Sequence, residues 1–200
     1  MKKIGIMGGT FDPIHNGHLL IAEYARVHFK LDKILFIPTG NPPHKEKSHI
    51  TSNMHRYNMV LLAINSNENF LLSTLEMDRE GVTYTVDTIN TLKSIYENTD
   101  FYFIMGSDSL LQIHTWKEYE KLLKSCKFIV AKRPGYTSDT LDKIKEDLSL
   151  KYNSQIYILE APLLDISSSE IRQKIKKGIS IKYLVPKPVE IYINKHNLYG

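Results

Sequence analysis

His15 and His18 flank a glycine in the run Gly8-Gly9-Thr10-Phe11-Asp12-Pro13-Ile14-His15-Asn16-Gly17-His18. Two imidazoles three residues apart at the start of a helix lie on one side of it, and Gly17 between them leaves room for a bulky phosphate. The glycine pair ahead of them lets backbone amides approach a ligand, and a helix amino terminus that follows favours an anion. By position this is a nucleotide site. The run is neither G-x-x-x-x-G-K-[ST] nor G-x-G-x-x-G, so a P-loop NTPase and a dinucleotide-binding dehydrogenase both lose their defining contact. A zinc site built on the two histidines would need a third ligand, and no H-E-x-x-H or cysteine cluster provides one. Two plain loop histidines are the unremarkable alternative.

These residues need a frame. Strand-length apolar runs alternate with longer stretches of helical periodicity, the pattern of a parallel sheet with crossover helices. Ile4 to Met7 reads as the first strand and His18 to Lys30 as the helix after it, with Leu19, Ala22, Ala25 and Phe29 on one face. Lys33 to Pro38 reads as a strand, Asn53 to Ile64 as a helix, and Phe70 to Leu75 as an extended piece. Val86, Ile89, Leu92 and Ile95 mark a helix with Thr85 as its N-cap and Asp87 in its first turn. Phe101 to Met105, Phe128 to Ala131 and Gln155 to Leu159 read as strands, with a charged helix near Thr140 to Leu148. Ser167-Ser168-Ser169-Glu170 is a capping box that opens a helix closed by Gly178. Met54, Met59 and Met105 read as core.

The 200 residues carry 26 Lys and Arg against 22 Asp and Glu, a net charge of +4. No Lys/Arg stripe with interleaved aromatics argues for nucleic acid. One cysteine, Cys126, excludes an internal disulfide framework and a multi-cysteine zinc site. The amino-terminal apolar run stops at glycines, too short for a signal peptide or a membrane span, so a cytoplasmic protein is expected. No repeat or long linker divides residues 1–200, which are read as one domain.

The run GGTFDPIHNGH resembles the signature of the H-x-G-H nucleotidyltransferase superfamily, and Ile166-Ser167-Ser168-Ser169-Glu170-Ile171-Arg172 resembles its second motif. Asn41-Pro42-Pro43-His44-Lys45, Tyr84-Thr85-Val86-Asp87-Thr88, Ile104-Met105-Gly106-Ser107-Asp108-Ser109-Leu110, Trp116 and Lys132-Arg133-Pro134-Gly135 are similar to segments of the bacterial nicotinate-nucleotide adenylyltransferase family. Tyr183 to Pro186, Tyr192-Ile193 and Leu198-Tyr199 fit the same family, so the resemblance spans essentially the whole chain. Ser169 stands where many members have threonine, and Gln112 where some have an aromatic, which weakens a two-sided clamp on a pyridine ring.

The resemblance implies an α/β, Rossmann-like doubly wound fold: a mainly parallel sheet with helices on both faces. The part from about residue 162 would carry the Ser-Ser-Ser-Glu-Ile-Arg motif and the closing helices. It also implies adenylyl transfer from ATP to nicotinate mononucleotide without a covalent intermediate. His15, His18 and Arg172 would be catalytic. Gly8, Gly9, Thr10, Phe11, His15, His18, Gly106, Asp108, Ile166, Ser168, Ser169 and Arg172 would bind ATP. Asn41, Lys45, Tyr84, Thr85, Trp116 and Arg133 would bind the mononucleotide. Mg2+ would accompany ATP, with no protein side chain assigned to it. Small molecules, not nucleic acid or membrane, are the implied partners, and a homo-oligomer stays open. A phosphopantetheine adenylyltransferase or cytidylyltransferase would share both phosphate motifs but lack the segments at 41–45 and 84–85. A non-catalytic nucleotide sensor would have no need of both histidines and Arg172.

Overall fold

The computed structural model describes residues 1–42, 50–132, 138–162 and 164–200. Six strands, β1 (Lys2–Gly9), β2 (Lys33–Pro38), β3 (Phe70–Leu72), β4 (Thr99–Gly106), β5 (Lys127–Ala131) and β6 (Ile156–Leu159), form one sheet. Its order is β3-β2-β1-β4-β5-β6, and every pairing is parallel. The helices are α1 (Asn16–His28), α2 (Asn53–Ile64), α3 (Thr85–Ile95), α4 (Ser107–Leu111), α5 (Tyr119–Ser125), α6 (Ser138–Tyr152), α7 (Ser168–Lys176) and α8 (Lys187–Lys195).

Alternation along each strand divides the interior in two. Ile34 and Phe36 of β2, with Tyr102 and Ile104 of β4, join Ala22 and Ala25 of α1, Met59 and Val60 of α2, and Val189 and Ile193 of α8. Leu35, Ile37, Phe101 and Phe103 point the other way, onto Ile89 of α3, Leu122 of α5 and Leu141 of α6. Both faces of the sheet are therefore covered, as an all-parallel sheet requires.

β2 and α2 keep the bounds read from the sequence. β1 and β4 run past their apolar cores because flanking residues still pair, Lys2 with Thr99 and Gly9 with Pro38. The N-cap of α3 is Tyr84, with extended backbone, and Thr85 is the first helical residue. Met54 is 67% exposed and not core, because the α2 stripe that faces inward starts at Arg56. α5 had no counterpart in the sequence reading, since Leu122 and Leu123 are its only buried residues.

The chain leaves β1 toward β2 on one side and reaches β4 on the other. The carboxyl ends of β1 and β4 thus form the topological switch point where open α/β sheets bind ligands. Gly8 and Gly9 end one of these strands and Gly106 the other.

Candidate active site

The phosphate-type motif lies between β1 and α1. His15 is the N-cap of α1, and His18 occupies its third position. The backbone N–H of His15 donates to His18 Nδ1 at 3.2 Å, so an imidazole fills the place of the glutamate in a capping box. A ring nitrogen that accepts carries no proton, which leaves the His18 proton on Nε2, a donor. The His18 ring stacks on His15, centroids 3.6 Å apart, and meets buried Phe11 edge-on at 5.1 Å. A Cβ on Gly17 would come within 3.1 Å of the His15 ring. Gly17 therefore makes room for the His15 imidazole.

The second motif reaches the first through the backbone. Ser168 Oγ donates to the Pro13 carbonyl at 2.9 Å, and Arg172 Nη1 donates to the Asp12 carbonyl at 2.7 Å. Arg172 Nη2 also donates to Ser169 Oγ at 3.2 Å, while Ser167 Oγ caps α7 by accepting from the Glu170 N–H. Asp12 holds the loop: Tyr199 Oη donates to Oδ1 at 2.6 Å and the Thr51 N–H to Oδ2 at 3.3 Å.

Arg56 is wholly buried. Its guanidinium donates to the carbonyls of Thr10, Thr51 and Gly40 at 2.8, 3.0 and 3.3 Å, and to Asn53 Oδ1. Burial lowers its pKa and Asp12 counters that, so the charge stays in place as a clamp on the loops after β1 and β2. A sequence signal existed: Arg56 falls three and four residues before Met59 and Val60, on the buried stripe of α2.

Beside this loop opens a cavity of about 600 Å³. Gly8, Gly9, Thr10 and His18 line it, together with Phe103 and Gly106 and with Tyr84, Thr85, Trp116 and Lys117. The Trp116 indole packs edge-to-face on Phe103 at 5.9 Å. Lys117 Nζ lies 4.3 Å from the Tyr84 ring centroid and 3.5 Å from Asp87 Oδ2. Glu76 is buried in the wall and accepts from Thr88 Oγ1 at 2.7 Å, and burial raises its carboxyl above the ordinary range. Its charged neighbours in sequence, Asp78, Arg79 and Glu80, make it read as surface.

Not every expected residue faces the cavity. His15 and Ile166 line a small adjoining recess with His18 and Lys132. Ser168, Ser169 and Arg172 stand behind the loop, Phe11 lies beneath His18, and Asp108 is off the lining between Gly106 and Ser109. Asn41 ties two loops, donating to the Gly81 carbonyl at 2.8 Å and accepting from the Thr83 N–H at 3.1 Å, while its neighbour Pro42 faces the cavity. Lys45 and Arg133 lie outside the described residues. A Cβ on Gly40 would stand 2.1 Å from the Glu76 carbonyl oxygen, so only glycine allows these two backbones to meet. Among the described residues, no group of three or more His, Cys, Asp or Glu could hold a metal ion, and no helix is long and apolar enough to cross a membrane. Cys126 packs beside the second core, and burial pushes its thiol up to about 12.

A doubly wound sheet with paired histidines at its switch point has the form of a nucleotidyltransferase, and residues 6–174 match the Cytidylyltransferase-like family. A "Probable nicotinate-nucleotide adenylyltransferase" of Thermoanaerobacter sp. is 51% identical over 198 residues, 98% of this chain and 94% of the relative. A protein of the same name from Clostridium tetani is 48% identical over the full length of both chains. Plasmodium falciparum nicotinic acid mononucleotide adenylyltransferase complexed with NaAD superposes with a TM-score of 0.83 at 30% identity, covering 100% of this chain and 98% of that one. The same enzyme complexed with APC gives 0.81. The chain belongs to the nicotinate-nucleotide adenylyltransferase family, nucleotidyltransferases of NAD biosynthesis.

Proposed function

We propose that residues 1–200 work as one domain that transfers the adenylyl group of ATP to nicotinate mononucleotide, giving nicotinic acid adenine dinucleotide and pyrophosphate. The observation that carries this reading is the His18 ring, held by the His15 N–H so that Nε2 remains a donor at the rim of the cavity. A phosphate oxygen of the mononucleotide attacks the α-phosphorus of ATP in line. The bond to the β-phosphate oxygen breaks, and its electron pair departs with pyrophosphate. The attacking oxygen is already anionic, so no general base and no covalent intermediate is needed. Catalysis then rests on positioning two anions and stabilising the charge that develops.

His18 Nε2–H serves the α-phosphate, with the Gly8-Gly9 amides beside it. Ser168 and Ser169, with the amides at the start of α7, and Arg172, with the guanidinium N–H groups that do not hold the Asp12 carbonyl, take the β- and γ-phosphates. On the acceptor side Tyr84, Thr85 and Trp116 surround the pyridine ring, with Lys45 assigned to phosphate and Arg133 to phosphate or the pyridine side on sequence grounds. Mg2+ carried on the triphosphate supplies charge neutralisation when bound. Such an ion keeps several waters and asks little of protein carboxylates, which fits this donor set.

The protein should release pyrophosphate when given ATP, Mg2+ and nicotinate mononucleotide, and none with phosphopantetheine. The reverse preference overturns the assignment.

A further inference from the structure

The loop between β1 and α1 is held by residues off the cavity lining. Asp12 is its hub. Asp12 is 4% exposed, and both carboxylate oxygens are bonded, one to the Tyr199 hydroxyl and the other to the Thr51 N–H. The carbonyl of the same residue receives Arg172 Nη1. One residue thus joins the segment after α8, the segment before α2 and the guanidinium of α7. Tyr199 also lies 3.9 Å from Met59 Sδ on α2, and burial beside Asp12 raises its phenol, which therefore stays a donor at neutral pH.

We infer that Tyr199 is a positioning residue for adenylyl transfer, acting through Asp12 to set where Arg172 and His18 present their donors to the triphosphate. This rests on the adenylyltransferase reading of the site. Without the hydroxyl, Asp12 Oδ1 is buried with no donor, a costly state that the side chain escapes only by turning. Turning also draws Oδ2 off the Thr51 N–H, and with both side-chain anchors gone the loop backbone can shift, carrying the Asp12 carbonyl on which Arg172 rests. The same shift moves the backbone that reaches His15 three residues later, whose N–H fixes the His18 tautomer. Displacements of about 1 Å at a reacting centre are enough to cost rate, and the loss falls on the triphosphate side because both affected donors serve it. The pyridine wall, made of Tyr84, Thr85 and Trp116, shares no hydrogen bond with Tyr199.

The test is Tyr199→Phe, set against Tyr192→Phe. The Tyr192 hydroxyl likewise joins α8 to α2, pairing with His55 Nδ1 at 2.9 Å and accepting from Asn58 Nδ2 at 3.0 Å, and neither bond reaches the loop. Tyr199→Phe should lower kcat/KM for ATP by about tenfold or more, with KM for nicotinate mononucleotide nearly unchanged. Tyr192→Phe should shift only the melting temperature. Asp12→Asn, which keeps the side chain's size, should show the same ATP-side loss, and the double variant with Tyr199→Phe should lose less than the sum. If Tyr199→Phe fails to fold, Asp12→Asn alone decides through the same split between the two substrates. A Tyr199→Phe enzyme that melts earlier yet keeps its kcat/KM for ATP reduces Tyr199 to a structural contact and overturns the inference. A wild type that binds ATP by calorimetry but transfers nothing to nicotinate mononucleotide defeats the reading of the reaction instead. ATP affinity in the variants would then still judge Tyr199.

Discussion

The two ends of the site are built in opposite ways. At the end proposed for the phosphates the polar side chains are already engaged, with His18 on the His15 N–H, Arg172 on the Asp12 carbonyl and Ser168 on the Pro13 carbonyl. At the end proposed for the pyridine ring there is open volume beside aromatic side chains, with Trp116 against Phe103 and Lys117 over Tyr84. The first arrangement fixes donors in space before any ligand arrives, which is what charge stabilisation in a transition state requires. The second offers shape and apolar area, which hold substrate and transition state alike. Damage at the first end should therefore fall on ATP, in its binding or its chemical step, and damage at the second on acceptor affinity.

The largest effect expected is on His18. His18→Ala should reduce kcat by about 100-fold or more while ATP still binds. Single-turnover kinetics would show it, and a near-normal chemical step would dissolve the contrast between the ends. Arg172→Ala comes next. It loses a charge-assisted contact to phosphate and should weaken ATP by roughly tenfold to a hundredfold, with the mononucleotide little changed. Calorimetry that found ATP affinity intact would make α7 a purely structural helix.

At the other end, Trp116→Ala should raise KM for both nicotinate and nicotinamide mononucleotides, by about fivefold for a stacking loss of about 1 kcal/mol. Because the donors aimed at a ring carboxylate are proposed to be main-chain amides of the first turn of α3, Thr85→Ala should leave much of the acid preference in place. A Trp116→Ala enzyme that lost acid-over-amide discrimination while keeping the amide would reverse this division.

The smallest effect concerns Glu76, whose carboxyl burial holds above its ordinary 4.5. A carboxyl raised in the folded state favours the neutral acid. Its contribution is complete below the unfolded value and is lost as pH rises through the folded one. Glu76→Gln cannot ionise, so its melting temperature should gain on the wild type as pH rises above 4.5. A wild type that gained on the variant over that range would show the carboxylate to be stabilising where it lies.

The fold was legible because periodicity and chain order carry it. The sheet strands follow short apolar runs, and Gly8-Gly9 and Gly106 mark the strand ends where the site opens. The phosphate motifs were legible as local patterns at helix starts, down to the Ser167 cap on Glu170. What stayed hidden was long-range. No local pattern announces that Arg172 rests on the Asp12 carbonyl or that Tyr199 reaches Asp12, because such contacts exist only once the sheet has brought those segments together. Lys117 was missed beside Trp116 because a lysine following an aromatic reads as an ordinary exposed charge.

The contact between Gly40 and the Glu76 carbonyl limits how the enzyme could be changed. There the spacing between the loop after β2 and the segment at Glu76 is set by main chain against main chain, with the Arg56 guanidinium also holding the Gly40 carbonyl. No choice of side chain at position 40 can widen or narrow that gap gradually, since even a methyl group would force the backbones apart. Natural drift or laboratory selection toward a bulkier ligand must therefore work elsewhere on the lining, at side chains such as Trp116 and Lys117.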